Sequence, residues 1–325
     1  MPGAGWAREG AWAAGLPLGW REDDCMDPIM VHIGPLAIRW YGFLIALAVL
    51  IGALWGLRLA ERRGLDPDKL LDSAVWLVLA GIIGARLVYV VTSPSAFFGP
   101  GGHPLDAFKV WQGGISIHGG ILGVLFAMWL YSRSQRINMW AYMDVLTPLG
   151  ALGIMAGRIG NIMNGTDTGG RLTDLAIGID WPKPGTPFLD GVGRAVFGKE
   201  LWRYAPPACS TVPVGQPCHI HFAQAYGFLV GFLVLFIVLW ALRHSRAPGY
   251  AFWQFALWYS VLRSLLEEPF RDNPLFWKVY DNAQAGIGFF TLTQLASIPI
   301  VLFSIYMLWR IHRRERRSAR PAGGD

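Results

Sequence analysis

Residues 143–165 read MDVLTPLGALGIMAGRIGNIMNG, an apolar run that ends in an arginine and two asparagines separated by glycines. A helix needs about 20 mostly apolar residues to cross a bilayer, and the run lies in a segment of that length. Arg158, Asn161 and Asn164 follow where such a helix would end. Charged groups inside membrane helices are costly and usually functional. The stretch therefore predicts a membrane helix with a polar site at one end.

The rest of the chain extends this prediction to a whole protein. Of its 325 residues, 53% are hydrophobic and 15% are charged, whereas soluble domains carry about 25% charged residues. We therefore predict an all-α polytopic membrane protein with seven transmembrane helices and a small extracytoplasmic head between helices 4 and 5. The apolar segments lie at about residues 34–57, 71–92, 113–131, 139–160, 223–242, 250–267 and 287–309.

The basic residues predict the orientation of these segments. Alternate connections are rich in arginine, and the tail reads RIHRRERRSAR, whereas the other short connections hold only Lys109, Arg271 and Lys278. Basic connections stay in the cytoplasm. The N-terminus is thus expected outside and the C-terminus inside. Because the basic residues lie in short loops and the tail, the net charge of +6 indicates membrane topology and not nucleic-acid binding.

The chain divides into five predicted regions. Met26 opens a stretch that is typical of a protein start, so the residues before it are either a disordered extension or a misassigned start. The regions are an extension at 1–25, helices 1–4 at 26–160, a periplasmic head at 161–222, helices 5–7 at 223–310 and a basic cytoplasmic tail at 311–325.

The predicted head is rich in Gly, Pro and Asp and contains two cysteines. Cys209 and Cys218 have eight residues between them. In an oxidising compartment they are compatible with a disulfide, and two free thiols remain the alternative. His219 and His221 lie nearby, but the cluster lacks the regular ligand spacing of a zinc motif.

The ionisable groups of the spans gather at one predicted depth. At about 1.5 Å per helical residue, groups from five spans fall in the outer half of the bilayer. Those groups are Arg39, Tyr41, Arg86, His118, Arg158, Tyr259, Arg263 and Glu267. Together they predict a polar cavity with an arginine excess, suited to an anion such as a phosphate, which a guanidinium fork binds well.

Each group also has a simpler interpretation. Arg86 is at a position from which it could extend to the outer headgroups. Glu267 could do no more than neutralise Arg263, because Tyr259, Arg263 and Glu267 are spaced to share one face of an α-helix. His118 could be an interhelical hydrogen-bond partner. None of these alternatives explains the shared depth.

Several motifs resemble those of the prolipoprotein diacylglyceryl transferases of bacterial inner membranes. IGPLAIRWYGFLIALAVLIG is similar to the family's first span, GARLVYV to its second-span arginine motif and GGISIHGGILG to its His-Gly-Gly element. GRIGNIMNG resembles the signature, YSVLRSLLEEPFRDNP the tyrosine, arginine and glutamate stretch, and TLTQLASIPI the start of the last span. The resemblance covers Met26 to about Arg310.

The resemblance implies an activity. Such enzymes move the diacylglyceryl group of phosphatidylglycerol to the thiol of a lipobox cysteine in a secreted precursor, with glycerol-1-phosphate as the leaving group. It implies membrane lipids and precursor peptides as partners, no nucleic acid, no metal and no other cofactor.

The resemblance also implies roles for individual residues. Arg158 and Arg263 hold the phosphate, while Asn161, Asn164 and Tyr41 orient the glycerol. His118 helps to deprotonate the thiol, and Glu267 positions Arg263. The wider predicted substrate site includes Arg86, Tyr259, Asp167 and Gly170.

Two elements depart from the family pattern. The family commonly follows the signature with a glutamate and then Trp-Gly-Arg, whereas TDTGGR here offers Asp167, Gly169, Gly170 and Arg171. The family's His-Pro-Ser-Gln-Leu-Tyr-Glu element corresponds to HFAQAYG, in which Gly227 replaces the final glutamate. We expect no catalytic role for this second element.

Two other classes of function remain as alternatives. A transporter or flippase for an anionic amphiphile would use the same arginines without chemistry, but it needs a polar route to the inner side, where only Asp144 lies deep. An intramembrane protease is the weaker alternative, because Ser116 near His118 is its only hint.

Overall fold

The computed structural model describes residues 27–34, 36–99, 102–110, 114, 116–164, 169–181, 207–213 and 218–318. The predicted extension at 1–25 and Asp167 lie outside these residues. The described part forms two compact units. Unit 1 comprises residues 56–145, and unit 2 comprises residues 27–55 together with 146–318.

The described residues are mostly helical. The helices are α1 (Trp40–Arg62), α2 (Pro67–Thr92), α3 (Ser95–Phe98), α4 (Ile117–Gln135), α5 (Met139–Asn164), α6 (Ala223–His244), α7 (Tyr250–Leu262) and α8 (Leu292–Ser318). α7 continues into a π-helical turn, Arg263–Glu267, and a 3₁₀ turn, Glu268–Phe270.

Among the described residues, five helices are long and apolar enough to cross a bilayer: α1, α2, α5, α6 and α8. Their outward faces suit lipid, since Val75, Ile83 and Val91 of α2 are 62%, 64% and 69% exposed. The prediction of a multi-span membrane protein is therefore confirmed. The count of seven spans, which needs α4 and the α7 segment as well, stays a prediction.

The all-α prediction needs a correction, because three two-stranded antiparallel sheets accompany the helices in the part of the chain that the structure describes. β1 (Ile29–Ile33) pairs with β2 (Leu36–Arg39), β3 (Ile179–Trp181) with β4 (Cys218–Ile220), and β5 (Leu275–Asn282) with β6 (Ile287–Thr291). The first and seventh predicted segments thus begin as strands, and their helices start at Trp40 and Leu292. Hydropathy alone does not separate a short apolar strand from a helix end.

Within unit 1, α2 packs against α4 through small residues. A side chain at Gly84 would collide with the carbonyl of Gly119, and one at Gly123 would collide with the carbonyl of Ala80. Small residues let the helix backbones approach this closely without lipid between them. The first turn of α4, which carries His118, is thereby fixed against α2.

Within unit 2, the helices that carry the site also pack through glycines. Gly52 of α1 faces Leu149 of α5, Gly231 of α6 faces Met155 of α5, and Gly150 of α5 faces Phe255 of α7. A buried row at every fourth position of α6 continues this core: Val230, Val234 and Val238. This packing fixes the end of α5.

The segment before α6 is joined by a disulfide. Cys209 and Cys218 form a disulfide, which excludes the alternative of two free thiols. Cys218 and Ile220 pack with Ile179 and Phe222 in a small apolar cluster. The cluster anchors β3 and β4 immediately before the start of α6.

Candidate active site

Arg158 lies near the end of α5 and is held by a buried carboxylate. Its Nη2 is 2.6 Å from Oε1 of Glu267, with side chains 11% and 0% exposed. Gly227 of α6 makes room for the guanidinium, since a Cβ there would overlap Arg158 Nε and lie 2.9 Å from Cδ. A carboxylate and a missing side chain therefore position this arginine together.

Glu267 binds two arginines through one oxygen. Its Oε1 also accepts a 3.1 Å hydrogen bond from Nη1 of Arg271. Its Oε2 has no hydrogen-bond partner among the residues that the structure describes. Two guanidinium groups share this one carboxylate, which leaves a local excess of positive charge.

Arg263 has different partners from those that the sequence predicts. Its Nη1 donates to the Tyr259 hydroxyl at 2.8 Å, and its Nη2 is 3.8 Å from Oε2 of Glu268, not of Glu267. The sequence pairs Arg263 with Glu267 along an α-helix, whereas the ion pair that the structure forms within 4.0 Å is the one with Glu268. A positioning effect of Glu267 on Arg263 stays a prediction. The turn is π-helical, and the amide of Glu268 donates to the carbonyl of Arg263. In this turn the residue five positions after Arg263, which is Glu268, therefore comes next to Arg263 along the helix axis.

The cluster as a whole is cationic. In unit 2 it contains the guanidinium groups of Arg158, Arg263 and Arg271 and the carboxylates of Glu267 and Glu268. This cluster differs from the predicted one, because it includes Arg271 and a second carboxylate, Glu268, whereas Arg86 lies in unit 1. Such a cluster favours an anionic ligand.

Polar side chains that the sequence predicts to contact a headgroup lie on the same stretch of α5. Asn161 Nδ2 lies 3.3 Å from Oε1 of the buried Gln224. Oδ1 of Asn164 is buried without a hydrogen-bond partner among the described residues. The Tyr41 ring lies against Gly160, where a Cβ would be 2.6 Å from Cδ2. Gly160 thus leaves room for the Tyr41 ring against α5.

The segment after the signature joins the region of Arg271. Gly170 forms an antiparallel bridge with Arg271, and the amide of Asp272 donates to the Gly169 carbonyl at 2.8 Å. A side chain at Gly170 would collide with the His221 carbonyl. Gly170 therefore lies where backbones meet, and its predicted substrate contact stays a prediction.

His221 belongs to the same backbone junction. Its ring nitrogens lie 3.1 Å from the Tyr226 hydroxyl and 2.8 Å from the Ala285 carbonyl. Burial, the largest cause, lowers the pKa of His221 below its ordinary value. A neutral imidazole thus connects β4, α6 and the β5–β6 turn.

Arg86 of unit 1 is bound entirely differently from Arg158. Its Nε and Nη1 donate to the carbonyls of Ala107 and Gly114 at 2.8 and 2.7 Å, and its Nη2 donates to the Asp106 carbonyl. The guanidinium also lies 5.1 Å from the Phe97 ring centre. At 7% exposure Arg86 is buried, and backbone carbonyls of unit 1 accept hydrogen bonds from its guanidinium. A direct substrate contact by Arg86 stays a prediction.

His118 is exposed on the first turn of α4 in unit 1. Its predicted place among the arginines of unit 2 stays a prediction. Asp144, the deep acid of the sequence analysis, is fully buried in unit 1, and its Oδ2 lies 3.7 Å from Arg63 Nη1.

Comparison with known proteins decides the family. The family model for prolipoprotein diacylglyceryl transferase matches residues 28–310. The chain belongs to this family. It is 47% identical to the phosphatidylglycerol–prolipoprotein diacylglyceryl transferase of Thermus thermophilus, over 88% of this chain and 99% of that protein. It is 42% identical to the enzyme of the same name from Deinococcus radiodurans, over 90% and 87% of the two chains.

For a prolipoprotein diacylglyceryl transferase, the departure at Gly227 has a structural explanation. The Arg158 guanidinium occupies the space beside Gly227, so any larger residue in this arrangement would displace it. The carboxylate that holds Arg158 comes from Glu267 instead. The element HFAQAYG thus contributes to the site in two ways. Gly227 has no side chain and leaves room for Arg158, and the amide of Gln224 accepts a hydrogen bond from Asn161.

Sequence reasoning missed Glu268, Arg271 and Gln224 as members of this cluster. The double glutamate at 267–268 was a signal for the first, because two adjacent acids in an apolar helix need separate partners. Arg271 gave no such signal, since its position after Pro269 indicates a loop. Its place beside Glu267 follows only from the tertiary structure, in which its backbone also pairs with Gly170.

Proposed function

We propose that this protein transfers the diacylglyceryl group of phosphatidylglycerol to the lipobox cysteine of secreted prolipoproteins. The names of its relatives support this substrate pair. The observation that carries the proposal is the buried Arg158–Glu267 pair inside a cationic cluster at the end of a membrane helix. A cluster of this charge suits the phosphate of an anionic lipid headgroup.

The proposed reaction forms one bond and breaks one. The cysteine sulfur attacks the glycerol carbon of the diacylglyceryl group, a carbon–sulfur bond forms, and the bond from that carbon to the phosphate oxygen breaks. Glycerol-1-phosphate leaves with an additional negative charge. Arg158 and Arg263 hold this phosphate, and fixed cations that meet developing charge lower the barrier.

The remaining residues have supporting roles in the proposal. Asn161, Asn164 and Tyr41 orient the glycerol, and Tyr259 fixes Arg263 through its hydroxyl. His118 takes the thiol proton or orders the group that takes it. Asp167 and Gly170 complete the substrate site, and Arg86 ties the segment between α3 and α4 to α2.

The proposal includes a topology in the bacterial inner membrane. Seven spans, with α4 and the α7 segment as the additional two, place the N-terminus outside and the C-terminus in the cytoplasm. The head before α6 is then periplasmic. The Cys209–Cys218 disulfide supports this side, since disulfides persist in oxidising compartments.

The alternative of a transporter or flippase has no support. Asp144, the deep acid available for an inner route, is neutralised by Arg63. The relatives are named as transferases, which favours chemistry over transport.

The deciding experiment incubates the purified protein with phosphatidylglycerol and a lipobox peptide. Mass spectrometry should show the diacylglyceryl mass on the cysteine, with one glycerol-1-phosphate released per thioether. A peptide with serine in place of cysteine is the control. Movement of phosphatidylglycerol across vesicles without any thioether would refute the proposal and favour the flippase.

A further inference from the structure

We propose that Glu268 is a positioning residue for Arg263, and that the π-helical turn exists to place it there. The inference rests on the proposed function, in which Arg263 holds the phosphate of the lipid. It assigns a separate carboxylate to each of the two phosphate-holding arginines.

Glu268 is immobilised by neutral donors. Its side chain is 0% exposed, and its Oε1 accepts hydrogen bonds from Asn273 Nδ2 at 2.8 Å and from Thr291 Oγ1 at 2.9 Å. Its Oε2 has no hydrogen-bond partner among the described residues and lies 3.8 Å from Arg263 Nη2. One oxygen is thus anchored, while the other faces the guanidinium. A buried carboxylate held this way is pre-organised for a cation.

The π-helical turn is itself held in place. A π-turn inserts one residue, so a carbonyl near it needs a partner outside the regular helix ladder. The Ser264 carbonyl accepts a 2.8 Å hydrogen bond from Gln294 Nε2 of α8. Gln294 Oε1 in turn accepts from the amides of Phe290 and Thr291 at 2.6 and 3.0 Å. One glutamine therefore connects the turn to the end of β6.

The end of β6 carries backbone strain at the same place. Phe290 has φ +73°, a left-handed conformation that non-glycine residues rarely adopt. The strained residue precedes Thr291, whose hydroxyl donates to Glu268. Strain persists where the surrounding contacts over-determine the backbone, and it concentrates at functional sites.

The two adjacent glutamates therefore form ion pairs with different arginines. Glu267 contacts Arg158 and Arg271, whereas Glu268 faces Arg263. Arg263 remains 25% exposed in its side chain. Its Nη1 has the Tyr259 hydroxyl, and its Nε has no hydrogen-bond partner among the residues described. Glu268 thus orients Arg263 without pairing all its donors, and the proposal assigns the guanidinium's remaining donors to a phosphate.

The test is a double-mutant cycle between Glu268→Gln and Arg263→Lys. Glu268→Gln should lower kcat about tenfold with a smaller change in KM, because charge on the leaving phosphate grows in the transition state. The double variant should be no worse than Arg263→Lys alone. Glu315→Gln, a matched change at an exposed glutamate bonded to Ser245, should leave the rate unchanged.

Two further variants keep the test valid if Glu268→Gln does not fold. Asn273→Ala and Thr291→Val loosen Glu268 without removing its charge, and each should lower kcat in the same direction and couple to Arg263→Lys. Wild-type rates in folded Glu268→Gln, or losses that add to those of Arg263→Lys, would overturn the inference. If the wild-type protein forms no thioether, or Arg263→Lys is fully active, the proposed function or its phosphate assignment fails as well.

Discussion

Arg86 and Arg158 look alike in the sequence but differ in their partners. Both lie in long apolar helices, one in each unit; Arg86 is buried and the Arg158 side chain is 11% exposed. Arg86 donates to three backbone carbonyls of the segment between α3 and α4. Arg158 is held by one carboxylate oxygen beside a glycine.

The difference separates a structural arginine from a binding arginine. A guanidinium has five N–H donors in a fixed fork. When backbone carbonyls of a loop take them, the arginine ties that loop to its helix. When one carboxylate takes one end, the charge is fixed in direction and the remaining donors are left for a ligand. Three changes test this comparison and a fourth tests the backbone junction at His221, from the largest expected effect to the smallest.

The largest effect is expected from Arg158→Lys. Lysine keeps the charge but loses the bidentate fork, so transferase activity should fall at least about 100-fold. The measurement is the rate of thioether formation on a lipobox peptide, with Arg62→Lys at the exposed end of α1 as control. Full activity in Arg158→Lys would show that Arg158 does not bind the phosphate through its guanidinium fork.

Arg86→Lys should instead act on stability. Loss of charge-assisted bonds to buried carbonyls should cost about 2–3 kcal/mol of unfolding free energy in unit 1. Tryptic cleavage after Lys109, in the segment that Arg86 ties down, should accelerate, while activity per folded molecule stays near wild type. The exposed Arg133→Lys is the control. A higher KM for phosphatidylglycerol with unchanged cleavage would show that Arg86 binds substrate.

Gly227→Ala tests how Arg158 is positioned. The added Cβ overlaps the guanidinium, so we expect an activity loss of about tenfold, in the range of a small displacement in an active site. Gly153→Ala on α5 is the matched control, because a Cβ there meets nothing within 4 Å. Equal activity of the two variants would contradict the proposed arrangement.

The smallest effect concerns the neutral His221 at the backbone junction. Because burial lowers its pKa in the folded state, its contribution to stability is complete above the unfolded pKa of about 6.5. The contribution is lost as the pH falls through the folded-state pKa. The difference in Tm between wild type and His221→Gln should therefore shrink from pH 8 towards pH 5. A difference that grows on acidification would reverse the sign and contradict a buried neutral imidazole.

Much of this molecule follows from patterns in the sequence. The apolar segments predict α2, α5 and α6 to within four residues at each end, because a bilayer demands length and hydropathy that a linear count can detect. α1 and α8 begin and end five or more residues later than their segments. The signature GRIGNIMNG indicates the site, and the cysteine spacing is compatible with the disulfide. The strands β2 and β6 were missed because their apolar residues merge with the helices that follow.

The sequence by itself determined the class of protein, the family and the positions of its arginines and glutamates. Only the tertiary structure decided which acid meets which base. A regular helix pairs Arg263 with Glu267, but the π-turn, held by Gln294 from α8, moves the pairing by one residue. Periodicity describes a helix by its own backbone hydrogen bonds, whereas this turn depends on a hydrogen bond from 30 residues away.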